Sequence, residues 1–428
     1  MRLLPSLLVA GIGASAFVLA EQQPLGGAHV EAVNTHAPST PSYRDDLLAL
    51  HKGLIETSSQ SGAEGNVGDW LIDYLHRRQY KTFKQQVATR DNTGKNGRFN
   101  VIAWIDGGED DEGDNGDGDD TLAALTVHPL PPVLITSHID VVPPHIPYSI
   151  DDDTPTDSTV IHGRGSVDAK GSVAAQITAL EELRAQDVVG AGDVLLVYVV
   201  GEEDSGDGMK AFSELFHSYF PTWFTAAIFG EPTDNKLACG HKGILGCTVS
   251  ATGKAGHSGY PWLGKSANDA LVRGLVALID ADLGSSAIFG NTTVNLGLIS
   301  GGVAANVIPA AAEAKMAVRV ALGPQATGHD EVRSRMEAAL ASVDKDLTLS
   351  CSQGYGVVEC DCSVEGFANI TVNYGTDVPN LAGDHTRYLY GPGDILVAHG
   401  DKEALTVASL EKAVVDFQKL IKHALKRD

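Results

Sequence analysis

Between Val133 and Phe229, short apolar runs alternate with helical periodicity, and this commits the segment to a largely parallel sheet covered by helices on both faces. Val133 to Ser137 leads into His138 and Asp140, Val194 to Val200 ends at Gly201-Glu202-Glu203, and Ala226 to Phe229 ends at Gly230-Glu231. Two further runs repeat the pattern, Ile161 to Val167 ahead of Asp168 and Ile395 to Ala398 ahead of His399. Open α/β sheets place their sites outside the carboxyl ends of parallel strands. A fold that gathers these ends gathers two histidines and three carboxylates, a donor set suited to divalent cations.

At 428 residues the chain exceeds one typical core, and a second unit is legible after Gly240. Residues 241–356 read as strand, helix, strand, strand, helix, strand, with Leu271, Leu275, Leu278 and Ile279 giving the first helix its face and Val332, Met336, Ala339 and Leu340 the second. The βαββαβ order is ferredoxin-like. It splits an α/β domain into residues 43–240 and 357–428, the latter ending on an amphipathic helix that carries Leu410, Val414, Phe417 and Ile421. Within the first part, Ser172 to Arg184 is expected to cover the sheet with a stripe of Val173, Ile177, Leu180 and Leu183.

Arg2, the apolar stretch Leu3 to Leu19 and the small-residue site at Ala20 read as a secretory signal over residues 1–20, followed by a poorly ordered arm over 21–42. Secretion to an extracellular, oxidising space agrees with glycosylation sequons at Asn291 and Asn369. Of the five cysteines at least one is unpaired within the chain, and spacing does not give the connectivity of the rest. An acidic low-complexity insert, residues 106–132 with its Pro-rich exit, cannot bury enough apolar area to order itself. The net charge of −24 argues against nucleic-acid or anionic-membrane partners, and no later segment is long and apolar enough to span a bilayer.

His138 and Asp140 stand two apart on one strand face, which suits a ligand and the carboxylate that orients it. Adjacent Glu202 and Glu203 leave a strand in different directions, so one can bind a cation while the other stays free as a general base. Asp168 precedes a helix and could equally cap it. No G-x-S-x-G nucleophile elbow occurs.

A resemblance then becomes specific. Ser137-His138-Ile139-Asp140, Gly163 to Gly171, Gly201-Glu202-Glu203, Gly230-Glu231-Pro232-Thr233, Gly256-His257-Ser258-Gly259, Gly302 to Pro309, Tyr374-Gly375-Thr376-Asp377 and Gly391-Pro392-Gly393 with His399 occur in that order. Together they resemble the co-catalytic zinc family of glutamate carboxypeptidase, acetylornithine deacetylase, succinyl-diaminopimelate desuccinylase and aminoacylase. The match runs from about Ser61 to the C-terminus, and that family carries a lid or dimerisation unit inside its catalytic domain.

The resemblance implies two zinc ions per subunit, with cobalt able to substitute. Asp168 would bridge them, Glu203 and His399 would complete one site, and His138 and Glu231 the other. Glu202 would be the base acting on a metal-bridged water. His257 would hold the oxyanion, often from the partner subunit of a homodimer formed through residues 241–356. Asn306 and Arg319 match lid positions that grip a substrate carboxylate, and Gly375 is assigned to substrate binding. The expected activity is a secreted zinc carboxypeptidase cleaving the amide next to a free C-terminal carboxylate. An N-acyl-amino-acid deacylase, acting on N-acyl amino acids instead of peptides, is the alternative.

Overall fold

A computed structural model describes residues 40–88, 97–105, 107, 130–219, 224–352 and 354–427. The signal, nearly all of the arm and most of the acidic insert read from the sequence lie outside these residues.

The central element is a nine-stranded mixed sheet. Its middle strands, Val194–Val199, Val133–His138, Ala226–Gly230 and Thr386–Tyr390, run parallel. Tyr80–Gln86 and Phe99–Ile105 add antiparallel strands at one side, and Leu237–His241 with its short neighbours closes the other. Along Val194–Val199 the side chains alternate between two cores: Val194, Leu196 and Tyr198 enter one, Leu195, Val197 and Val199 the other. A continuous apolar run is therefore what a strand covered on both faces requires. Helices Arg44–Glu56, Lys170–Ala185 and Val407–Ala424 build the first core, and Asp207–Tyr219 supplies Met209, Phe212 and Phe216 to the second.

Lys170–Ala185 differs from the single stripe expected of it, being buried over nearly its whole circumference as far as Leu180. It is wedged between the sheet and Val407–Ala424, and its Gly171, Ser172, Ala174, Ala175 and Ala179 are small enough to admit both neighbours.

Residues 42–428 form one compact unit that holds a second, four-stranded sheet. Its order is Thr293–Gly301, Ala311–Val320, Gly243–Thr252, Leu347–Cys351, antiparallel throughout. With helices Ala267–Asp280 and Gly328–Ala341 this is the ferredoxin-like βαββαβ unit. Its core alternates cleanly, with Ala312, Ala314, Met316, Val318 and Val320 inward. Ile279 departs from expectation. It is 61% exposed and lines up with exposed Val272 and Val276 at helical spacing, so the helix has a second, outward apolar stripe. Disulfides Cys239–Cys362 and Cys247–Cys351 settle the connectivity that spacing left open, and Cys360 is free.

Candidate metal centre

Strand register builds half of the site. His138 lies level with Val199, and Gly230 with both Ser137 and Tyr390, so the residues that follow these strands emerge on one rim. His138, Glu202, Glu203 and Glu231 arrive there as their apolar runs predict. Asp168 and His399 do not. Val160–His162 belongs to a separate small antiparallel sheet, and Ile395–Val397 is a 3-10 turn whose Leu396 is 86% exposed. Neither run is a strand of the central sheet, so these two ligands are brought in by loops.

The side chains nonetheless converge. His138 Nε2 lies 3.0 Å from Asp168 Oδ1, and His399 Nε2 lies 3.2 Å from Asp168 Oδ2 and 2.8 Å from Glu203 Oε2. Asp168 thus turns one oxygen to each histidine, the disposition of a bridging carboxylate. Two donor groups follow, His138 with Glu202 and Glu231, and His138 with Asp168 and Glu203, each with its atoms within 4.8 Å of one another. Glu202, expected to stand apart from the ligands, is drawn into the first of these, while the His399 contact belongs to Glu203 alone.

Asp140 does more than orient an imidazole. His138 Nδ1 is 3.0 Å from the Asp140 carbonyl oxygen and 3.6 Å from its carboxylate, so the tighter contact is to the backbone. The carboxylate accepts the peptide N–H groups of Glu202 (3.1 Å) and Glu203 (3.3 Å) and the Ser61 hydroxyl (2.7 Å). It fixes the turn that presents both glutamates. Gly201 at φ 76° begins that turn, and a side chain there would also meet Arg98 Nη2 at 2.4 Å.

The donor set fits divalent cations on electrostatic grounds. Glu203 Oε1 is buried without a hydrogen-bond partner among the described residues. Burial, then the charge of Glu231, pushes Glu202 well above the usual carboxylate range. Burial raises Glu231 and Glu203 as well, with Asp168 adding to both. Buried carboxylates that repel one another need positive charge between them, and imidazole nitrogen with carboxylate oxygen is a set that zinc accepts. Side-chain exposure of 52% at His399 leaves the rim open to a substrate.

Several supporting residues carried little local signal. The buried carboxylate of Glu403 accepts the N–H groups of Gly165, Val167 and Asp168 at 2.9–3.1 Å and pairs with Arg164 at 2.7 Å. Arg164 also donates to the His399 carbonyl at 3.2 Å, joining the two loops that bring Asp168 and His399. Lys170, held down to about 7 by burial, donates to the carbonyls of Leu54 and Thr57 at the end of helix Arg44–Glu56. Arg164 and Lys170 sit inside the Gly163 to Gly171 motif, which marked the region without assigning them work.

The lid residues divide. Arg319 Nη1 approaches Gly375, lying 3.8 Å from where a side chain there would begin. His257 and Asn306 do not join the cluster. His257 Nδ1 accepts from Gly259 N at 3.0 Å and its ring meets Tyr260, while the Asn306 carbonyl accepts from Ser258 N at 3.1 Å. Arg319 is next to the end of strand Ala311–Val320 where the chain crosses between the sheets, whereas these loops pair beyond its other end. At about 3.3 Å per residue, that strand separates them by roughly 30 Å. Asn291 and Asn369 are exposed.

A His–carboxylate centre on the rim of a parallel sheet, with a ferredoxin-like insert, defines a metal-dependent hydrolase. Comparison narrows the class. A family model for a peptidase dimerisation domain matches residues 239–348. A peptidase M20 domain-containing protein of Sordaria macrospora is 52% identical over 90% of this chain and 86% of its own length. A probable carboxypeptidase of Aspergillus oryzae is 43% identical over 95% and 94%. Among solved structures, a tripeptidase of Staphylococcus aureus gives a TM-score of 0.68 at 18% identity, covering 90% of this chain and 99% of that one. An M20 family metallo-carboxypeptidase of Sulfolobus solfataricus gives 0.65 at 15%, covering 89% and 100%. This chain belongs to the M20 family of metallopeptidases.

Replacing Glu403 by Ala strands three N–H groups and the Arg164 guanidinium, loosening both ligand loops. Affinity for divalent cation, measured by competition with a chromogenic chelator, is expected to fall about 10–100-fold.

Proposed function

We propose that this chain is a secreted, zinc-dependent carboxypeptidase. The observation that carries the reading is a His–carboxylate centre in the same chain as an Arg319 guanidinium near Gly375, with Tyr355 within reach of the charges of both Glu202 and Arg319, which suits an amide bond lying next to a free carboxylate. Asp168, between the two histidines, would hold zinc together with Glu203 and His399 on one side and His138 and Glu231 on the other; bound there, the ions would polarise a carbonyl and acidify a water. Glu202, beside His138 and Glu231, takes the proton released during attack and returns it to the departing nitrogen. Asp140 holds the turn that aims it. Arg319 receives the C-terminal carboxylate through paired N–H donors, a geometry Lys cannot match. The names of the Aspergillus relatives support a carboxypeptidase over a deacylase.

Extracellular destination is supported by the N-terminal apolar run, the two disulfides and the exposure of both sequon asparagines. A homodimer is supported by the matched dimerisation model, by the exposed stripe Val272, Val276 and Ile279, and by edge strand Thr293–Gly301, where Leu298 and Ile299 are exposed. Pairing there would let His257 and Asn306 serve the site of the other copy.

A panel of C-terminally free dipeptides and N-acetyl amino acids, assayed after chelation and again with zinc or cobalt restored, tests the substrate class. Peptides are expected to turn over faster, and a preference for the N-acetyl series would sink the carboxypeptidase reading. Glu202→Ala should retain bound metal by elemental analysis yet lose about 10²-fold or more in kcat. Light scattering should find a dimer that Val276→Lys converts to monomer.

A further inference from the structure

We infer that the Tyr355 hydroxyl is a second donor to the substrate's free carboxylate, acting beside Arg319 over Gly375. This rests on the carboxypeptidase reading and names a specificity residue within it. Arg319, Ile244 and Tyr355 form one rung across three neighbouring segments. Arg319 is opposite Ile244 on one side, and Tyr355 bridges Ile244 on the other, its N–H donating to the Ile244 carbonyl at 3.1 Å. Residues opposite one another across strands share a face, so the guanidinium and the phenol project together.

Both reach the same gap. A Cβ at Gly375 would lie 2.8 Å from Tyr355 Oη and 3.8 Å from Arg319 Nη1. Gly375 is not in the left-handed region, so what the position supplies is the lack of a side chain, which lets the Tyr355 hydroxyl come close, rather than conformational freedom. The Tyr355 ring stands edge-on to His241, with centroids 6.2 Å apart. His241 is itself fixed, with Nδ1 2.8 Å from the Lys242 carbonyl and Nε2 3.0 Å from Thr376 Oγ1, in the loop that carries Gly375. The phenol is therefore braced, yet its hydroxyl has no hydrogen-bond partner among the described residues. Burial, and then the charge of Glu202, pushes its pKa up, so it remains a donor at working pH. A cation and a neutral donor beside one glycine make a receptor for a carboxylate, which has lone pairs for both.

The test compares an N-blocked dipeptide bearing a free C-terminus with its C-terminal carboxamide, using the zinc-loaded full chain and the variants Tyr355→Phe, Arg319→Ala and Gly375→Ala. Tyr355→Phe keeps the ring and removes only the hydroxyl. KM for the acid should rise about 10-fold with kcat within about twofold, while the carboxamide changes less than about threefold, shrinking the preference for the acid. Gly375→Ala, by filling the gap, should raise KM for the acid at least as far. Should Tyr355→Phe leave the preference intact while Arg319→Ala collapses it, the hydroxyl has no such role and the carboxylate reading stands. An unmodified enzyme without preference, or one whose preference survives Arg319→Ala, overturns that reading and this inference with it. Metal content and melting temperature are measured on each variant. Loss of either in Tyr355→Phe, with the preference unchanged, marks a structural residue and also refutes the assignment.

Discussion

The site depends on how Asp168 is held. One of its oxygens faces His138 and the other faces His399, so any displacement of the carboxylate disturbs both sides of the centre at once. A loop alone would not hold it. Glu403, 235 residues further along the chain, takes up three N–H groups of the Asp168 loop and the Arg164 guanidinium, and Arg164 reaches on to the His399 carbonyl. A buried carboxylate costs several kcal/mol unless its lone pairs are used, and here they are used to rigidify a second carboxylate.

The same economy appears at Asp140, which orients His138 through its backbone and the Glu202–Glu203 turn through its side chain. The candidate ligands and the Glu202–Glu203 turn are thus set by two buried acids, Glu403 and Asp140, whose carboxylates are each multiply hydrogen-bonded. Glu203 Oε1 is buried without a partner among the described residues, and its unused lone pairs point to what a bound cation would supply.

The position of the insert decides which lid residues can act within one chain. Arg319 and Tyr355 sit where the two sheets join, with Tyr355 within reach of the charge of Glu202, whereas His257 and Asn306 lie a full strand length from Arg319. On the proposed reading a single copy would carry the carboxylate grip, and a part for His257 at the oxyanion would call for a second copy or a large lid movement. The outward stripe of Val272, Val276 and Ile279 favours the former.

Much of this was legible in the chain. Continuous apolar runs named the central strands, because strands covered on both faces cannot alternate, and the residues following three of them named His138, Glu202, Glu203 and Glu231. Motif order supplied Asp168 and His399, although the strands expected ahead of them are absent from the central sheet. Residue type and local periodicity therefore determined the donors, the cores and the βαββαβ insert, since each is a property of a few adjacent side chains. Tertiary structure alone decided which oxygen faces which imidazole, that Glu403 and Arg164 brace the ligand loops, that Tyr355 shares a gap with Arg319, and that Ile279 points outward. Those depend on packing, strand register and loop closure between segments as far as 239 residues apart, which sequence spacing does not encode.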